Sequence, residues 1–199
     1  MDGNPLPPRT ASILDREKFE HAARAAGLER VVFLAGPFIQ TNKRPRKNAK
    51  NKAMRLRYKL FHALSDAGWA VTLGEYENLL KAPDALLGDE NNAVLAEVLH
   101  ARSDSTDAVV MLPSSPGSFL EFGAFSTIEE ICRKMIIIID EQYKDKKDYM
   151  NTGPVKGARD NGAEVHFIDY DEFDECLDEV DKFITRQARR KAKRQVFGQ

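Results

Sequence analysis

The chain has little cysteine, and the spacing of its cysteines predicts neither a disulfide nor a metal site. The sequence holds only Cys132 and Cys176, and neither has the closely spaced partner that a disulfide framework or a zinc site requires. The four histidines also lack the spacing of metal ligands. We therefore predict a protein of a reducing compartment without a metal site.

Long apolar runs are absent as well. No run approaches the roughly 20 residues that span a bilayer, and residues 1–12 are rich in proline without the apolar centre of a signal peptide. We expect no membrane association and a cytoplasmic location. A length of 199 residues fits one compact domain. We place that domain at residues 13–185, between a flexible segment at 1–12 and a basic tail at 186–199.

The chain has almost no net charge, yet its charges are segregated. The formal net charge is −1, whereas residues 43–59 carry nine Lys or Arg and no acid, and residues 182–194 carry seven. Residues 75–107 are acidic in balance. Such segregation can mark a face that binds phosphates or a nucleic-acid backbone, and solvated loops or a cation-capped helix end are the alternative.

Short apolar runs alternate with segments of helical pattern. The sequence predicts strands at 31–35, 69–73, 107–112, 135–139 and 165–168, and helices at 12–26, 52–67, 91–102, 118–132 and from 173 onward. Pro154 can open a further short helix. Continuous apolar strands that alternate with helices predict an α/β protein with a doubly wound, mainly parallel, five-stranded sheet of the flavodoxin-like or Rossmann-like type.

Unusual residues follow the predicted strand ends, at the edge where such sheets bind ligands. The turn Gly36-Pro37-Phe38 follows the first strand, Glu75 the second, residues 115–121 the third and Asp140 the fourth. Because the carboxyl ends of parallel strands share one edge, we expect these residues to converge there.

Glu121 is the leading candidate at this edge. Ser118 followed three residues later by Glu121 predicts a helix that starts at Ser118, with the carboxylate near the mouth of a pocket. The alternative is a capping box that does no chemistry. Gly123 costs a helix roughly 1 kcal/mol relative to alanine, which indicates a close approach of backbone or ligand.

Other candidates have equally plain alternatives. Glu75, Glu90 and Asp107 are further carboxylates that we place near this edge; each can instead be a solvated loop residue, a helix cap or a strand start. Gly36 and Gly117 suit a backbone that a ligand approaches closely. Phe38 can stack on a base or simply pack.

Several segments together resemble known families. Residues 32–38, Val-Phe-Leu-Ala-Gly-Pro-Phe, resemble the first-strand motif of nucleoside 2-deoxyribosyltransferases, and residues 118–123 resemble the segment with their glutamate nucleophile. Residues 90–97, 115–126 and 149–155 resemble, in order, the nucleoside-deoxyribosyltransferase-like effector toxins of bacterial retron anti-phage systems. One departure is Ser114, which stands where that family often has a glutamate.

This resemblance implies a nucleoside deoxyribosyltransferase fold and an enzyme that cleaves an N-glycosidic bond. The implied substrate is NAD+, or a related nucleotide or nucleoside, and NAD+ is then a substrate rather than a cofactor. Glu121 would stabilise or attack the cationic sugar, as in retaining glycosidases. The alternatives are a true nucleoside 2-deoxyribosyltransferase and a nucleotide-sensing module without catalysis.

The resemblance also implies partners. In deoxyribosyltransferases a late segment from a neighbouring subunit completes the pocket, which would make this chain a homo-oligomer and give Asn151 a role; a tight turn without function is the alternative. A retron reverse transcriptase and its RNA–DNA product are further expected partners. The substrate-binding candidates are Gly36, Pro37, Phe38, Glu75, Glu90, Ser115, Gly117, Ser118 and Asn151.

Overall fold

A parallel β-sheet of five strands organises the chain. The structure is a computed structural model that describes residues 30–47, 52–75 and 92–197. The strands are β1 (Val31–Ala35), β2 (Ala70–Thr72), β3 (Ala108–Met111), β4 (Met135–Ile139) and β5 (Glu164–Phe167). Their order is β2-β1-β3-β4-β5, with every neighbouring pair parallel. This is the order of flavodoxin-like doubly wound sheets, and the prediction of an α/β protein with a parallel sheet is confirmed.

Helices cover both faces of the sheet. They are α1 (Lys52–Asp66), α2 (Ala93–Arg102), α3 (Pro116–Phe125), α4 (Glu129–Cys132), α5 (Lys156–Asp160) and α6 (Phe173–Phe197), with a 3-10 turn at Glu141–Tyr143 and a π-helical turn at Asn151–Val155. Along β1, Val32 and Leu34 share a core with α1 and α6, whereas Phe33 and Ala35 share the opposite core with α2 to α5. Because both faces are covered, the strands are apolar throughout rather than alternating.

The winding of the chain reverses between β1 and β3. Strand β1 pairs with β2 on one side, with Val31 opposite Ala70, and with β3 on the other, with Val32 opposite Ala108. The connections from these two strands therefore leave toward opposite sides and open a crevice outside their carboxyl ends. The loops after β1 and β3 border that crevice.

Helix α3 starts at Pro116, two residues earlier than its sequence pattern predicts. Its N-cap is Ser115, whose side chain accepts a hydrogen bond from the Ser118 N–H, and the Ser118 hydroxyl accepts one from the Ser115 N–H. Pro116 lies in the first turn, where its fixed φ favours the helix and its missing N–H costs nothing. The alternative interpretation of Ser118 and Glu121 as a capping box is therefore wrong, and Glu121 lies about one turn inside the helix.

Other local predictions need smaller corrections. The single helix predicted over 118–132 is two helices, α3 and α4, separated at residues 126–128. Pro154 lies inside the π-helical turn instead of opening a helix. The basic segment from 186 continues α6 as far as Phe197, while the proposed domain boundaries stay a prediction. The helix predicted over 12–26 lies outside the described residues.

The two cysteines lie in opposite cores. Cys132 ends α4 and Cys176 lies in α6, and both are buried free thiols. Within residues 30–47, 52–75 and 92–197, no helix combines the length and apolar character needed to cross a membrane.

Candidate active site

The loops after β1 and β3 meet at Gly36. Its φ is +151°, and a Cβ at this position would lie 3.1 Å from both Cβ and the carbonyl oxygen of Leu112 and 3.3 Å from Cδ of Arg57. Both the conformation and the space therefore favour glycine. The sequence predicts that a ligand approaches Gly36 closely. In the structure, Leu112 and Arg57 of the protein itself lie close to it.

A buried arginine holds the end of β1. The Arg57 side chain, in α1, is 1% exposed. Its Nε and Nη2 donate to the Leu34 carbonyl at 3.2 and 2.6 Å, and its Nη1 donates to the Pro37 carbonyl at 2.8 Å. The planar guanidinium thus fixes the Gly36-Pro37 turn by hydrogen bonds to the carbonyls on both sides of Gly36.

Glu75 is the ion partner of this arginine. Its Oε2 accepts from Nη2 of Arg57 at 3.0 Å, its Oε1 accepts from Nη1, and Oε1 also accepts from the Ile39 N–H at 3.2 Å. A paired fork of this kind orients the carboxylate as well as neutralising it. Glu75 is thus no solvated loop residue, and it lies where the sequence predicts, beside the Gly36-Pro37-Phe38 turn.

Glu97 and Glu121 form a carboxyl pair. Glu97 is buried in α2, Glu121 is half-buried in α3, and the two carboxyl groups lie close enough for a hydrogen bond between them to affect the pKa of each. Burial, this hydrogen bond and the charge of Glu97 raise the pKa of Glu121 to about 9, against the opposing effect of Arg57. Burial also raises the pKa of Glu97. Two acids in contact cannot both ionise readily, so the pair shares a proton near neutral pH.

One oxygen of the pair has no partner. Oε2 of Glu121 is buried and makes no hydrogen bond to any residue that the structure describes. A buried oxygen left unpaired costs about 1–3 kcal/mol, and such atoms call for an explanation. We call Glu75, Glu97 and Glu121 the carboxyl cluster. Glu75 adds to it electrostatically, since its charge raises the pKa values of both other members.

An open groove reaches the carboxyl cluster at Glu75, whereas Glu97 and Glu121 are not among its lining residues. Its volume is about 680 Å³, within the usual range of small-molecule sites. The lining residues come from the loop after β1 and the end of β2, and are Phe38, Ile39, Gln40, Thr41, Asn42, Lys43, Leu73 and Glu75. Phe38 is 59% exposed, so simple packing does not explain it and a flat ligand can reach its ring.

The remaining predicted residues near α3 are mostly engaged in structure. The hydroxyl of Ser118 is buried, accepts from the N–H groups of Ser114 and Ser115, and donates to the Ser115 carbonyl. Gly117 is exposed, and a Cβ there, as at Gly123, would meet nothing within 4 Å. The close approach inferred for Gly123 is therefore absent from the described part of the chain. Binding of substrate by Ser115, Gly117 and Ser118 stays a prediction.

Asn151 braces a loop of its own subunit. Its Nδ2 donates to the carbonyls of Tyr143 and Lys146 at 2.9 and 2.8 Å, and its N–H donates to Asp148 at 2.9 Å. The segment forms a π-helical turn, a form that is rare and frequent at functional sites. The predicted role of Asn151 toward a neighbouring subunit is left as a prediction.

Two further carboxylates do not join the cluster. Asp107 precedes β3 and lies at the opposite, amino edge of the sheet, where it accepts from the Val31 N–H at 2.6 Å and pairs with Lys191 at 2.7 Å. Its placement near the site was wrong, because it stands before a strand and not after one. Glu90 lies outside the described residues.

Sequence reasoning missed Glu97 and Arg57 as site residues. Arg57 shares the buried stripe of α1 with Leu56, Leu60 and Leu64, and a charged residue at a core position of an amphipathic helix is a signal that could have revealed it. Glu97 stood inside a quoted motif, but its spacing alone does not distinguish it from other helical acids. Among the residues described, no group of three His, Cys, Asp or Glu is arranged to hold a metal ion.

Fold and site together define a class: a Rossmann-like α/β protein with a cluster of carboxyl groups at the carboxyl edge of its parallel sheet. The STM3845 retron effector protein family matches residues 44–198. The chain belongs to that family, and the retron effector part of the predicted resemblance is confirmed.

Two Escherichia coli proteins are similar over shorter stretches, and each is named a putative ribosyltransferase/DNA-binding protein. The chain is 38% identical to the Retron Ec86 protein over 76 residues, which cover 38% of this chain and 25% of that protein. It is 29% identical to the Retron Ec73 protein over 69 residues, 34% of this chain and 22% of that protein. The matched stretches thus span about a quarter of these relatives or less.

Proposed function

We propose that this retron effector breaks the N-glycosidic bond between base and ribose in NAD+ or a related nucleotide or nucleoside. The observation that carries the proposal is the Glu97–Glu121 pair, with a buried and unpartnered Oε2 on Glu121. Breaking this bond develops positive charge on the sugar. A carboxyl oxygen without a partner, in a site partly shielded from water, would stabilise that charge strongly.

The proton of the pair fits this role. In the free protein the raised pKa values of both acids leave one proton on the Glu97–Glu121 pair. As the C1′–N bond breaks, the base leaves with the electron pair, and the cationic sugar favours the ionised form of Glu121. The proton then moves along the hydrogen bond to Glu97, while Oε2 of Glu121 bonds to C1′ or stabilises it. Water or a second base then attacks C1′, and the bond or contact between C1′ and Glu121 breaks with its electron pair left on Glu121. Glu97 returns its proton to the freed Glu121 carboxylate, and the proton of the attacking water or base passes to the departed base or to solvent.

The identity of the leaving group decides how much acid the reaction needs. Nicotinamide leaves as a neutral molecule from a cationic precursor, so its departure from NAD+ needs no proton. A purine or pyrimidine generally benefits from protonation. The fold proposed from the resemblance, that of nucleoside deoxyribosyltransferases, is consistent with the parallel sheet and with Glu121 in the helix after β3.

The relatives support the same chemistry and its context. Both bear the name ribosyltransferase, and family membership supports a role in anti-phage defence. We extend the proposal to partners: a retron reverse transcriptase with its RNA–DNA product, and further copies of the chain. We expect the reaction to take place in the cytoplasm with no cofactor.

A substrate panel tests the proposal. The purified chain is incubated with NAD+, ribonucleoside triphosphates, deoxynucleotides and deoxynucleosides, with and without a free acceptor base, and the products are identified by mass spectrometry. Time-dependent release of a base supports the proposal. A new nucleoside formed only with the acceptor base identifies a transferase. Ligand that binds, yet returns unchanged with and without retron partners, contradicts the proposal and identifies a sensing module.

The contact between Gly74 and Glu97 gives a matched pair of variants. A Cβ at Gly74 would lie 2.1 Å from Oε1 of Glu97, whereas a Cβ at Gly123 would meet nothing. We expect Gly74→Ala to displace the Glu97 carboxyl and to lower base release by about tenfold to a hundredfold, since small misplacements at reacting centres are costly. The flexible side chain can yield, so the melting temperature should fall by only about 5 °C or less.

Gly123→Ala is the control for this experiment and should keep the rate, with a melting temperature equal to or a few degrees above that of the wild type, since alanine favours a helix by roughly 1 kcal/mol over glycine. Rates are followed by chromatography of the released base, and melting by calorimetry. Wild-type rates in Gly74→Ala would show that the position of Glu97 is unimportant for the reaction.

A further inference from the structure

The loop after β1 carries cations that no residue in the described part of the chain neutralises. Lys43, Arg44, Arg46 and Lys47 are all exposed. We call residues 42–47 the cationic loop. None of its four cations makes an ion pair or a side-chain hydrogen bond to any residue in the described ranges, 30–47, 52–75 and 92–197.

Neighbouring cations of α1 behave differently. Lys52 pairs with Asp169 at 2.9 Å and with Asp171 at 3.1 Å, and Arg55 pairs with Asp171 as well. Arg57 pairs with Glu75 and donates its remaining hydrogen bonds to backbone carbonyls. Lys52, Arg55 and Arg57 of the helix thus have ion partners, whereas the cations of the loop that lines the groove have none among the residues that the structure describes.

Groups of opposite charge line the groove. Its lining residues include Asn42 and Lys43 of the cationic loop and Glu75 of the carboxyl cluster, together with Phe38, whose side chain is exposed. Clustered charges of one sign along a cleft attract ligands of the opposite sign and orient them. A phosphate is repelled by the carboxyl cluster and attracted by the loop, whereas an uncharged nucleoside gains nothing from the loop.

We propose that the cationic loop binds the 5′-phosphate of the substrate, so that this site takes nucleotides in preference to nucleosides. The inference rests on the proposed function for the reaction itself and adds the substrate class. The phosphate would bind Lys43 and Arg44, which would direct the sugar toward the carboxyl cluster. The groove volume of about 680 Å³ matches a small molecule, which favours a free nucleotide over a nucleic-acid strand.

The test compares a nucleoside with its own 5′-monophosphate and 5′-triphosphate. Base release is measured for the wild type, for Lys43→Gln/Arg44→Gln, and for Lys156→Gln/Lys182→Gln. The last variant removes the same charge from two exposed residues of α5 and α6, whose ion pairs with described residues all lie within their own helices. Binding of the same compounds is measured by calorimetry.

For the wild type we expect kcat/KM to be at least about tenfold higher for the nucleotides, the effect of a charge-assisted contact. The loop variant should lose this preference, mainly through a higher KM for the nucleotides. The control variant should keep the preference. An unchanged preference in the loop variant, or a wild type that prefers the nucleoside, overturns the inference.

Calorimetry separates this inference from the proposed function. Phosphate-dependent binding that requires the loop, without any base release, supports the phosphate site and contradicts the reaction. Base release from nucleosides and nucleotides at equal rates supports the reaction and contradicts the phosphate site. A loop variant that loses affinity for a single-stranded oligonucleotide, but not for the monophosphate, overturns the inference in favour of nucleic-acid binding.

Discussion

Glu121→Gln is expected to lower base release by roughly a thousandfold or more while making the folded protein more stable at pH 8. Activity falls because the amide can neither bond to C1′ nor carry the negative charge that stabilises the cationic sugar. Stability rises because Gln donates a hydrogen bond to the Glu97 carboxylate without bringing a second acid into the pair. A residue that merely supports the fold would lose stability on substitution.

The sign of the stability change depends on pH. The folded-state pKa of Glu121 is raised from 4.5 to about 9, so below pH 4.5 the group is protonated whether the chain is folded or unfolded. Above that pH the unfolded chain releases the proton and the folded chain retains it. Wild-type stability from this group therefore falls as the pH rises toward 9.

The difference in melting temperature between Glu121→Gln and wild type should thus grow with pH. We expect it to be near zero at pH 4.5 and to reach about 3–10 °C at pH 8.5, equivalent to roughly 1–3 kcal/mol. Calorimetry across this range measures it. Glu130→Gln is the matched control, because Glu130 is exposed and lies 3.4 Å from Arg102 at the surface, and it should change neither rate nor melting. A difference that is constant with pH, or an undiminished rate, would refute the role of Glu121.

Arg57→Met is expected to destabilise the protein by about 3–5 kcal/mol. Removing one member of a buried ion pair leaves Glu75 without its counter-ion. The carbonyls of Leu34 and Pro37 lose their donors at the same time. The melting temperature should fall by about 10 °C or more, and base release should fall further because the Gly36-Pro37 turn and Glu75 lose their shared support.

Two further variants keep this prediction testable if Arg57→Met fails to fold. Arg57→Lys retains the charge but cannot satisfy both carbonyls and the carboxylate, so it should give an intermediate loss. Arg55→Met, in the same helix, disturbs a pair with the exposed carboxylate of Asp171 and should cost about 1 kcal/mol or less. Urea unfolding of all three provides the measurement. Equal losses for Arg55→Met and Arg57→Met would show that burial of Arg57 is irrelevant.

Local patterns were sufficient for most of the fold. The apolar runs at 31–35 and 135–139 are the strands β1 and β4 at the predicted residues, because a segment buried on both faces must be apolar throughout. The start of α3 was misplaced, since Ser115 and Ser118 are both acceptable caps and only the turn geometry selects between them. The sequence placed Glu75 beside the Gly36-Pro37-Phe38 turn, where the structure has it, but gave no sign that Arg57 is its ion partner.

The amino-acid sequence by itself determined the alternation of strands and helices, the parallel sheet, and the edge where Glu75 and Glu121 would lie. Short-range periodicity encodes these features. Only the tertiary structure decided that Glu97 from α2 meets Glu121 from α3, and that Arg57 from α1 holds Glu75. These contacts join residues that are distant in the chain, and they depend on how the helices pack across the sheet. The raised pKa of Glu121 follows from that packing, because burial and a neighbouring acid are properties of the assembled site and not of any one segment.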